Sequence, residues 1–169
     1  MNKKNIFTVL LTIVALVGLM LWGKSAQKSA PVATSAAEGE VLAGDLFAEE
    51  TFYDFKTIRM KDGKVSYSFN VINKGESDLV LERVTTSCMC TVAYVVNGEN
   101  KKGPFGMPGH GGSVPKVNDT IKAGETREIE VVFDPNAHGP AGVGLIERVV
   151  RLEYGEKTLE LNIKAVVTP

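Results

Sequence analysis

Two cysteines that flank a single methionine are the side chains of this sequence best suited to do chemistry. Cys88 and Cys90 are the only cysteines of the chain, and Met89 lies between them. If the segment is extended, side chains two residues apart lie on the same face. Their sulfurs can then both bind one metal ion, or they can close a small, strained disulfide of the easily reduced kind. The spacing therefore predicts either a metal site or a redox pair.

Two loops rich in glycine and proline add further soft donors. The first holds Met107 and His110, and a turn at Pro108-Gly109 would aim both side chains at one point. The second holds the other histidine of the chain. Thiolate and thioether ligands favour copper(I), whereas imidazole binds copper and zinc alike, so we expect copper(I) in preference to zinc. The candidate metal ligands are Cys88, Cys90, Met107, His110 and His138.

Each of these residues also has a plainer interpretation. Cysteines of an exported protein often form a structural disulfide or are buried as small apolar side chains. Methionine is a residue that fills irregular gaps in a core, which suits Met107 equally well. A histidine in a loop is commonly exposed to solvent, and this applies above all to His138. Whether Cys88 and Cys90 are thiols, a disulfide or metal ligands stays open at the level of the sequence.

The residues after position 50 must form the scaffold that positions these donors. Apolar and polar side chains alternate there with the period of a half-buried strand, clearly so in 65–71, 129–133 and 159–167. Turn signals such as Asp62-Gly63 and Asn73-Lys74-Gly75 separate the runs. No segment after residue 50 has a convincing helical period. This pattern predicts an all-β domain built as an antiparallel sandwich.

The N-terminal third differs in composition from the rest. Residues 6–22 are apolar or small and carry no charge, which predicts a single N-terminal apolar helix that is either a membrane anchor or a cleaved signal. The interfacial residue Trp22 at its end favours the anchor. Small polar residues follow, with little periodicity. We therefore predict an anchor or signal at 1–23, a flexible tether at 24–50 and one domain at 51–169.

The domain resembles a known family in the order of its short motifs. These are YDFKTI at 53–58, YSFNVINKG at 67–75, LVLERV at 79–84, SCMCT at 87–91, AGE at 123–125 and VVFDP at 131–135. In this order they resemble the bacterial DUF1573 family, over nearly all of residues 50–167. The resemblance implies an exported immunoglobulin-like β-sandwich related to the ASPM, SPD-2 and Hydin modules, and it implies no reaction.

The chain departs from the family pattern at two places. Met89 stands where the family usually has glycine, and the stretch 96–120 is much longer than the usual connection. A long connection without secondary structure of its own is uncommon in a compact domain and is usually functional or disordered. This stretch contains Met107 and His110, so we expect the insertion to contribute to the site.

These observations together favour a binding module over an enzyme. The sequence contains no nucleophile elbow, phosphate-binding glycine loop or paired carboxylates in a recognisable frame. Its 20 acidic and 19 basic residues nearly cancel, which argues against nucleic acid as a partner. We expect a single-pass protein of the cell membrane, with an extracytoplasmic domain that binds a metal ion or acts in redox chemistry. The alternative is a metal-free structural or protein-interaction module; no small-molecule substrate is inferred.

Overall fold

The computed structural model of the chain describes residues 46–109 and 115–169. The predicted apolar helix at 1–23, most of the predicted tether and His110 lie outside these residues. Within them, no helix has the length and apolar character needed to cross a membrane. The described chain forms eleven strands, namely β1 (Leu46–Ala48), β2 (Phe52–Arg59), β3 (Val65–Asn73), β4 (Leu79–Leu81), β5 (Arg83–Thr86), β6 (Thr91–Asn97), β7 (Asn100–Phe105), β8 (Asp119–Ile121), β9 (Thr126–Phe133), β10 (Gly144–Tyr154) and β11 (Lys157–Thr168).

The strands are arranged in two main sheets and one small ladder. The first sheet has the order β1-β3-β9-β6-β7, the second has the order β2-β11-β10-β5, and β4 pairs with β8. Two short 3₁₀ turns, Met60–Asp62 and Gly139–Gly142, lie in the connections. The buried apolar side chains of both main sheets belong to one core cluster. The prediction of an all-β domain is therefore confirmed.

The alternation seen in the sequence determines which side chains enter this core. In β3, Phe69 and Val71 are buried, while the alternating residues Ser68 and Asn70 are exposed. Strands β9 and β11 follow the same rule, with Val131 and Leu161 among their buried residues. Because successive side chains of a strand point to opposite faces, this period leaves one apolar face per sheet, and the two faces bury each other.

One ladder departs from the predicted antiparallel arrangement. Strand β2 runs parallel to β11, from Phe52 opposite Asn162 to Arg59 opposite Thr168, whereas the other ladders among the described residues are antiparallel. The second sheet is therefore mixed. Almost the whole domain separates β2 from β11 in sequence, so no tight turn constrains their relative direction.

Two predicted boundaries also need correction. Strand β1 lies inside the segment 24–50 assigned to the tether, yet it pairs with β3 and buries Leu46 and Ala48. The stretch 96–120, predicted to lack secondary structure, contains β7, which forms a hairpin with β6. The turn of this hairpin includes Gly98 at φ 59°, and Asn-Gly is a common hairpin signal.

Candidate metal and redox site

Strand pairing in the first sheet brings two loops of the domain together. Thr91, the first residue of β6, lies opposite Phe133, the last residue of β9. Because β6 and β9 are antiparallel, the loop before β6 and the loop after β9 lie at the same end of the sheet. The first loop carries Cys88 and Cys90, and the second carries His138. The sheet therefore places the cysteine pair beside a histidine 48 residues further along the chain than Cys90.

The two cysteines form a disulfide in the structure, with their Cα atoms 5.3 Å apart. They differ in accessibility: Cys90 is only 3% exposed and belongs to the core, whereas Cys88 is half-buried. Met89 between them is 51% exposed. The backbone N–H of Cys90 lies 3.3 Å from Cys88 Sγ. The pair thus has one sulfur facing the interior and one near the surface.

Hydrogen bonds hold the turn that carries the cysteines. The Thr86 hydroxyl contacts the carbonyl oxygens of Cys88 and Thr91 at 3.0 and 2.9 Å. The Thr91 N–H donates to the Cys88 carbonyl at 3.1 Å. Thr86 and Thr91 are themselves buried. The turn is therefore fixed at both ends by the two strands that flank it, which limits the freedom of both sulfurs.

Each sulfur has a basic side chain beside it. His138 Nε2 lies 3.2 Å from Cys88 Sγ, and Arg148 Nε donates to Cys90 Sγ at 3.2 Å. The ligand atoms of Cys88, Cys90 and His138 all lie within 4.8 Å of one another. The cluster therefore combines two sulfurs, an imidazole and a guanidinium in one place, and three of its members are of types that bind metal ions.

The loop with His138 is fixed to both the cysteine turn and a neighbouring turn. The Asp134 N–H donates to the Cys90 carbonyl at 2.8 Å, which ties the start of this loop to the cysteine turn. The Asn136 side chain donates to the Met60 carbonyl at 2.8 Å. The Gly139 N–H closes the turn on the Asn136 carbonyl. Although the His138 ring is exposed, its backbone is held from both sides.

Arg148 reaches the site from the second sheet. Strand β10 pairs with β5, and the ladder continues past the end of β5, where the Ser87 N–H donates to the Val149 carbonyl at 2.9 Å. Val149 also donates its N–H to the Ser87 hydroxyl at 2.9 Å. This pairing places Arg148, which precedes Val149, next to Cys88, which follows Ser87. The guanidinium therefore comes from a rigid strand of the opposite sheet, not from a loop.

The other predicted ligands are placed differently. Met107 is half-buried and follows Gly106, whose carbonyl accepts a hydrogen bond from the Thr86 N–H at 3.2 Å. This bond holds the backbone next to Met107 close to the strand end that leads to Cys88. His110 lies outside the described residues. Among the described residues, the structure brings His138 to the cysteines, although a loop histidine is commonly exposed and free of such contacts.

Arg148 was missed by the sequence analysis. It lies in an alternating strand between Glu147 and Val149, where an arginine is ordinarily a solvated surface residue. Its role depends on the register between β5 and β10, which joins residues from 64 (Val150 and Thr86) to 70 (Glu153 and Arg83) positions apart. No local pattern marks this position. Only a correct pairing of β5 with β10 would have shown that residue 148 lies beside the cysteine turn.

A second polar cluster lies at the other end of β9. Arg127 donates from Nε to Asp119 at 2.7 Å and pairs through Nη1 with Glu125 at 2.7 Å. Lys102 adds a contact to Asp119 at 2.6 Å. Burial alone would raise the pKa of Asp119, but the hydrogen bonds from Lys102 and Arg127 outweigh it and lower that pKa below its usual value. The pKa of Glu125 is lowered first by its hydrogen bond with Arg127.

Solved structures of other proteins resemble this chain in fold. A crystal structure of a protein of unknown function from Porphyromonas gingivalis W83 matches with a TM-score of 0.53 at 16% identity, covering 73% of this chain and 47% of that chain. This chain therefore spans about half the length of that protein. A family 123 glycoside hydrolase from Clostridium perfringens matches with a TM-score of 0.48 at 8% identity, covering 69% and 22%. No curated protein matches the chain.

A family model matches one continuous part of the chain. The model is that of DUF1573, a protein of unknown function, and it covers residues 46–106. The match is narrower than the resemblance over 50–167 drawn from the motifs, and it ends within the stretch where the chain departs from the family pattern. It includes β1 to β7 and both cysteines, while His138 and Arg148 lie beyond it. Residues 46–106 of this chain are a DUF1573 domain.

Proposed function

We propose that this protein is a non-enzymatic binding module whose reduced Cys88 and Cys90, together with His138, hold one copper(I) ion. The observation that carries the proposal is the convergence of three ligand atoms from two loops within 4.8 Å. Reduction of the disulfide supplies two thiolates, and thiolates are the protein ligands that best select copper(I). The neutral imidazole of His138 completes a three-coordinate set.

The charges and the number of ligands favour copper(I) over zinc. Two thiolates and one copper(I) ion carry a net charge of −1, which the guanidinium of Arg148 at Cys90 Sγ offsets. Structural zinc sites are almost always tetrahedral with four protein ligands, whereas the described residues bring together three of the types histidine, cysteine, aspartate and glutamate. An N–H donated to a ligating sulfur is also a common outer-shell feature of metal–thiolate sites.

The surroundings of the ligands suit a metal that is received and passed on. Cys90 is buried and held by the core, so one ligand is fixed. Cys88 is half-buried and His138 is exposed, so the other two ligands lie at the surface. An ion at this position would be reachable by a ligand from a partner molecule. Exchange with a protein partner is therefore part of the proposal.

The place and the architecture of the module complete the proposal. The two packed sheets of five and four strands support an immunoglobulin-like sandwich. The apolar run at 6–22 supports a tether to the cell membrane, with the domain on the extracytoplasmic side, where disulfides form and persist. Met107 and His110, the ligands predicted in the insertion, are not required for this three-coordinate set.

Copper(I) titration of the reduced full chain tests this function. We expect about one copper(I) per parent chain, measured against a chromophoric copper(I) chelator under anaerobic conditions, and none above background in the Cys88→Ser/Cys90→Ser variant. A matched control is Met89→Ser, which introduces a serine at an exposed position of the same turn and leaves both thiols in place. Equal copper content in the parent and the double serine variant would contradict the proposal.

The same titration addresses the alternative of a metal-free module. The disulfide itself supports that alternative, because it closes the turn between β5 and β6 and needs no ligand. In that case the double serine variant unfolds at a lower temperature than the parent, and the parent binds no copper after reduction. Copper binding by the parent alone separates the two functions.

A further inference from the structure

We propose that the Cys88–Cys90 pair is also a thiol–disulfide exchange site, in which Cys88 is the sulfur attacked and Cys90 is the leaving sulfur. This activity goes beyond copper binding and does not need it, because the oxidised pair reacts with a thiol directly. The partner is a dithiol, either a protein with two nearby cysteines or two molecules of a small thiol.

Accessibility determines which sulfur is attacked. A thiolate must approach along the line of the S–S bond, opposite to the sulfur that leaves. Cys90 is 3% exposed and packs in the core, whereas Cys88 is half-buried beside an exposed Met89. An incoming thiolate therefore reaches Cys88. The apolar side chain of Met89 offers a contact for a peptide that carries the thiol.

Arg148 makes Cys90 the better leaving group. When the S–S bond breaks, the electron pair stays on Cys90 Sγ, and a thiolate appears at a nearly buried position. A buried anion without a partner would be costly. The Arg148 Nε–H, 3.2 Å from this sulfur, supplies a charge-assisted hydrogen bond where the negative charge appears. Arg148 thus acts as a positioning residue that stabilises the leaving thiolate.

His138 serves the second half of the exchange. After the first attack, the partner is joined to Cys88 by a mixed disulfide. The second thiolate of the partner then attacks the partner sulfur of that bond, and Cys88 Sγ leaves. His138 Nε2, 3.2 Å from Cys88 Sγ, is placed to donate a hydrogen bond to this departing thiolate. The Cys90 N–H at 3.3 Å assists as a second donor.

The overall step balances without any further reactant. One S–S bond of this protein breaks and one S–S bond of the partner forms. Two electrons pass from the partner dithiol to the cysteine pair, and the two protons released by the partner thiols are taken up by the new thiols or by solvent. The product is the reduced cysteine pair, which is also the form that binds copper(I) in the proposed function.

The test is the reduction of the oxidised full chain by glutathione in metal-free buffer, quenched by alkylation and read by mass spectrometry. In the parent, we expect reduction at least about tenfold faster than that of the oxidised Cys-Met-Cys peptide in the same buffer. The Arg148→Met variant should react about tenfold more slowly than the parent, the size expected for losing a hydrogen bond to a charged group. Arg151→Met is the matched control, since Arg151 lies on the same strand and pairs with Glu160; it should react like the parent.

Single-cysteine variants locate the attacked sulfur. With glutathione disulfide as the probe, Cys90→Ser should form the mixed disulfide at Cys88 much faster than Cys88→Ser forms it at Cys90. A peptide with two cysteines serves as a second reductant beside glutathione. If the partner is a protein, Met89→Ser should slow reduction by the peptide but not reduction by glutathione.

Three outcomes would overturn the exchange site. These are parent reduction no faster than that of the free peptide, faster capture at Cys90 than at Cys88, or Arg148→Met and Arg148→Lys both reacting like the parent. Thermal midpoints of all variants show whether each is folded. If Arg148→Met is unfolded, the experiment with the single-cysteine variants still tests the proposal. Because the buffer contains no copper, a negative result in the exchange experiment does not contradict the copper proposal. In the same way, absence of copper binding does not contradict the measured exchange rates.

Discussion

The two ends of β9 carry polar clusters of opposite character. At the N-terminal end, Arg127 and Asp119 are nearly buried, with side chains 3% and 10% exposed, and they pair with each other. At the C-terminal end, about 20 Å away along the strand, the loop after Phe133 brings His138 to a disulfide whose second sulfur receives a hydrogen bond from Arg148.

The difference lies in how the polar groups are satisfied. Arg127 is surrounded by Asp119, Glu125 and the carbonyls of Thr120 and Thr126, so each of its three side-chain nitrogens has a partner inside the domain. At the other end, Cys88 and His138 reach the surface and have one close contact with each other. A closed network stabilises the fold, whereas donors that remain accessible are able to exchange partners. We therefore assign stability to the Arg127 end and function to the cysteine end.

The largest expected effect of a single substitution is on stability, at the Arg127 end. Asp119→Ala leaves Arg127 buried with only Glu125 as an acidic partner, and loss of one member of a buried pair costs about 3 kcal/mol or more. Urea unfolding should show this loss in the free energy of unfolding. The control Asp62→Ala, which removes an exposed pair with Arg59, should cost less than about 1 kcal/mol. Copper(I) binding by folded Asp119→Ala should equal that of the parent.

Acid should weaken the same end of the molecule. The pKa of Asp119 is lower in the folded protein than in the unfolded chain. Its contribution is therefore fully present above the unfolded pKa of about 3.9 and is lost as the pH falls through the folded pKa. The free energies of unfolding of the parent and Asp119→Asn should differ most above pH ~5 and converge as the pH falls through the pKa of Asp119 in the folded protein. A difference that stays constant from pH 7 to 2 would contradict this assignment.

A smaller effect should follow from loosening the histidine loop. Asn136→Ala removes the hydrogen bond from its side chain to the Met60 carbonyl, which holds the loop that carries His138. An exposed hydrogen bond contributes about 1 kcal/mol, so stability should change little. Copper(I) affinity should fall a few-fold, measured by competition with a chelator. A large loss of stability without a change in copper(I) affinity would show that Asn136 stabilises the fold and does not position His138.

Much of the fold follows from local patterns, and its departures have identifiable causes. The alternation of Phe69 and Val71 with polar neighbours predicts β3 and its buried face, as observed. Strand β7 was missed because Gly103 and Pro104 argue against a strand. Its position at the edge of the sheet explains why proline is tolerated there. At Gly103, φ is 132° and an added Cβ would lie 3.0 Å from the Ala93 carbonyl oxygen, so the backbones approach closely.

The site was predictable only in part, because its members come from distant segments. The spacing of Cys88 and Cys90 is visible in the sequence, and so is the choice of soft donors. The position of His138 beside them depends on β9 pairing with β6, and that of Arg148 depends on β10 pairing with β5. Both pairings depend on the register of the whole sheets. The sequence alone therefore gives candidate site residues but does not show which of them lie close together.

X-ray absorption at the copper edge of the reduced, copper(I)-loaded full chain tests the central claim most directly. In the parent we predict a first shell of two sulfurs and one nitrogen, with the nitrogen lost in His138→Phe and retained in the matched variant His110→Phe. Copper(I) affinity should fall at least about tenfold in His138→Phe. A nitrogen that persists in His138→Phe and disappears in His110→Phe would contradict the account, as would a shell with no protein sulfur.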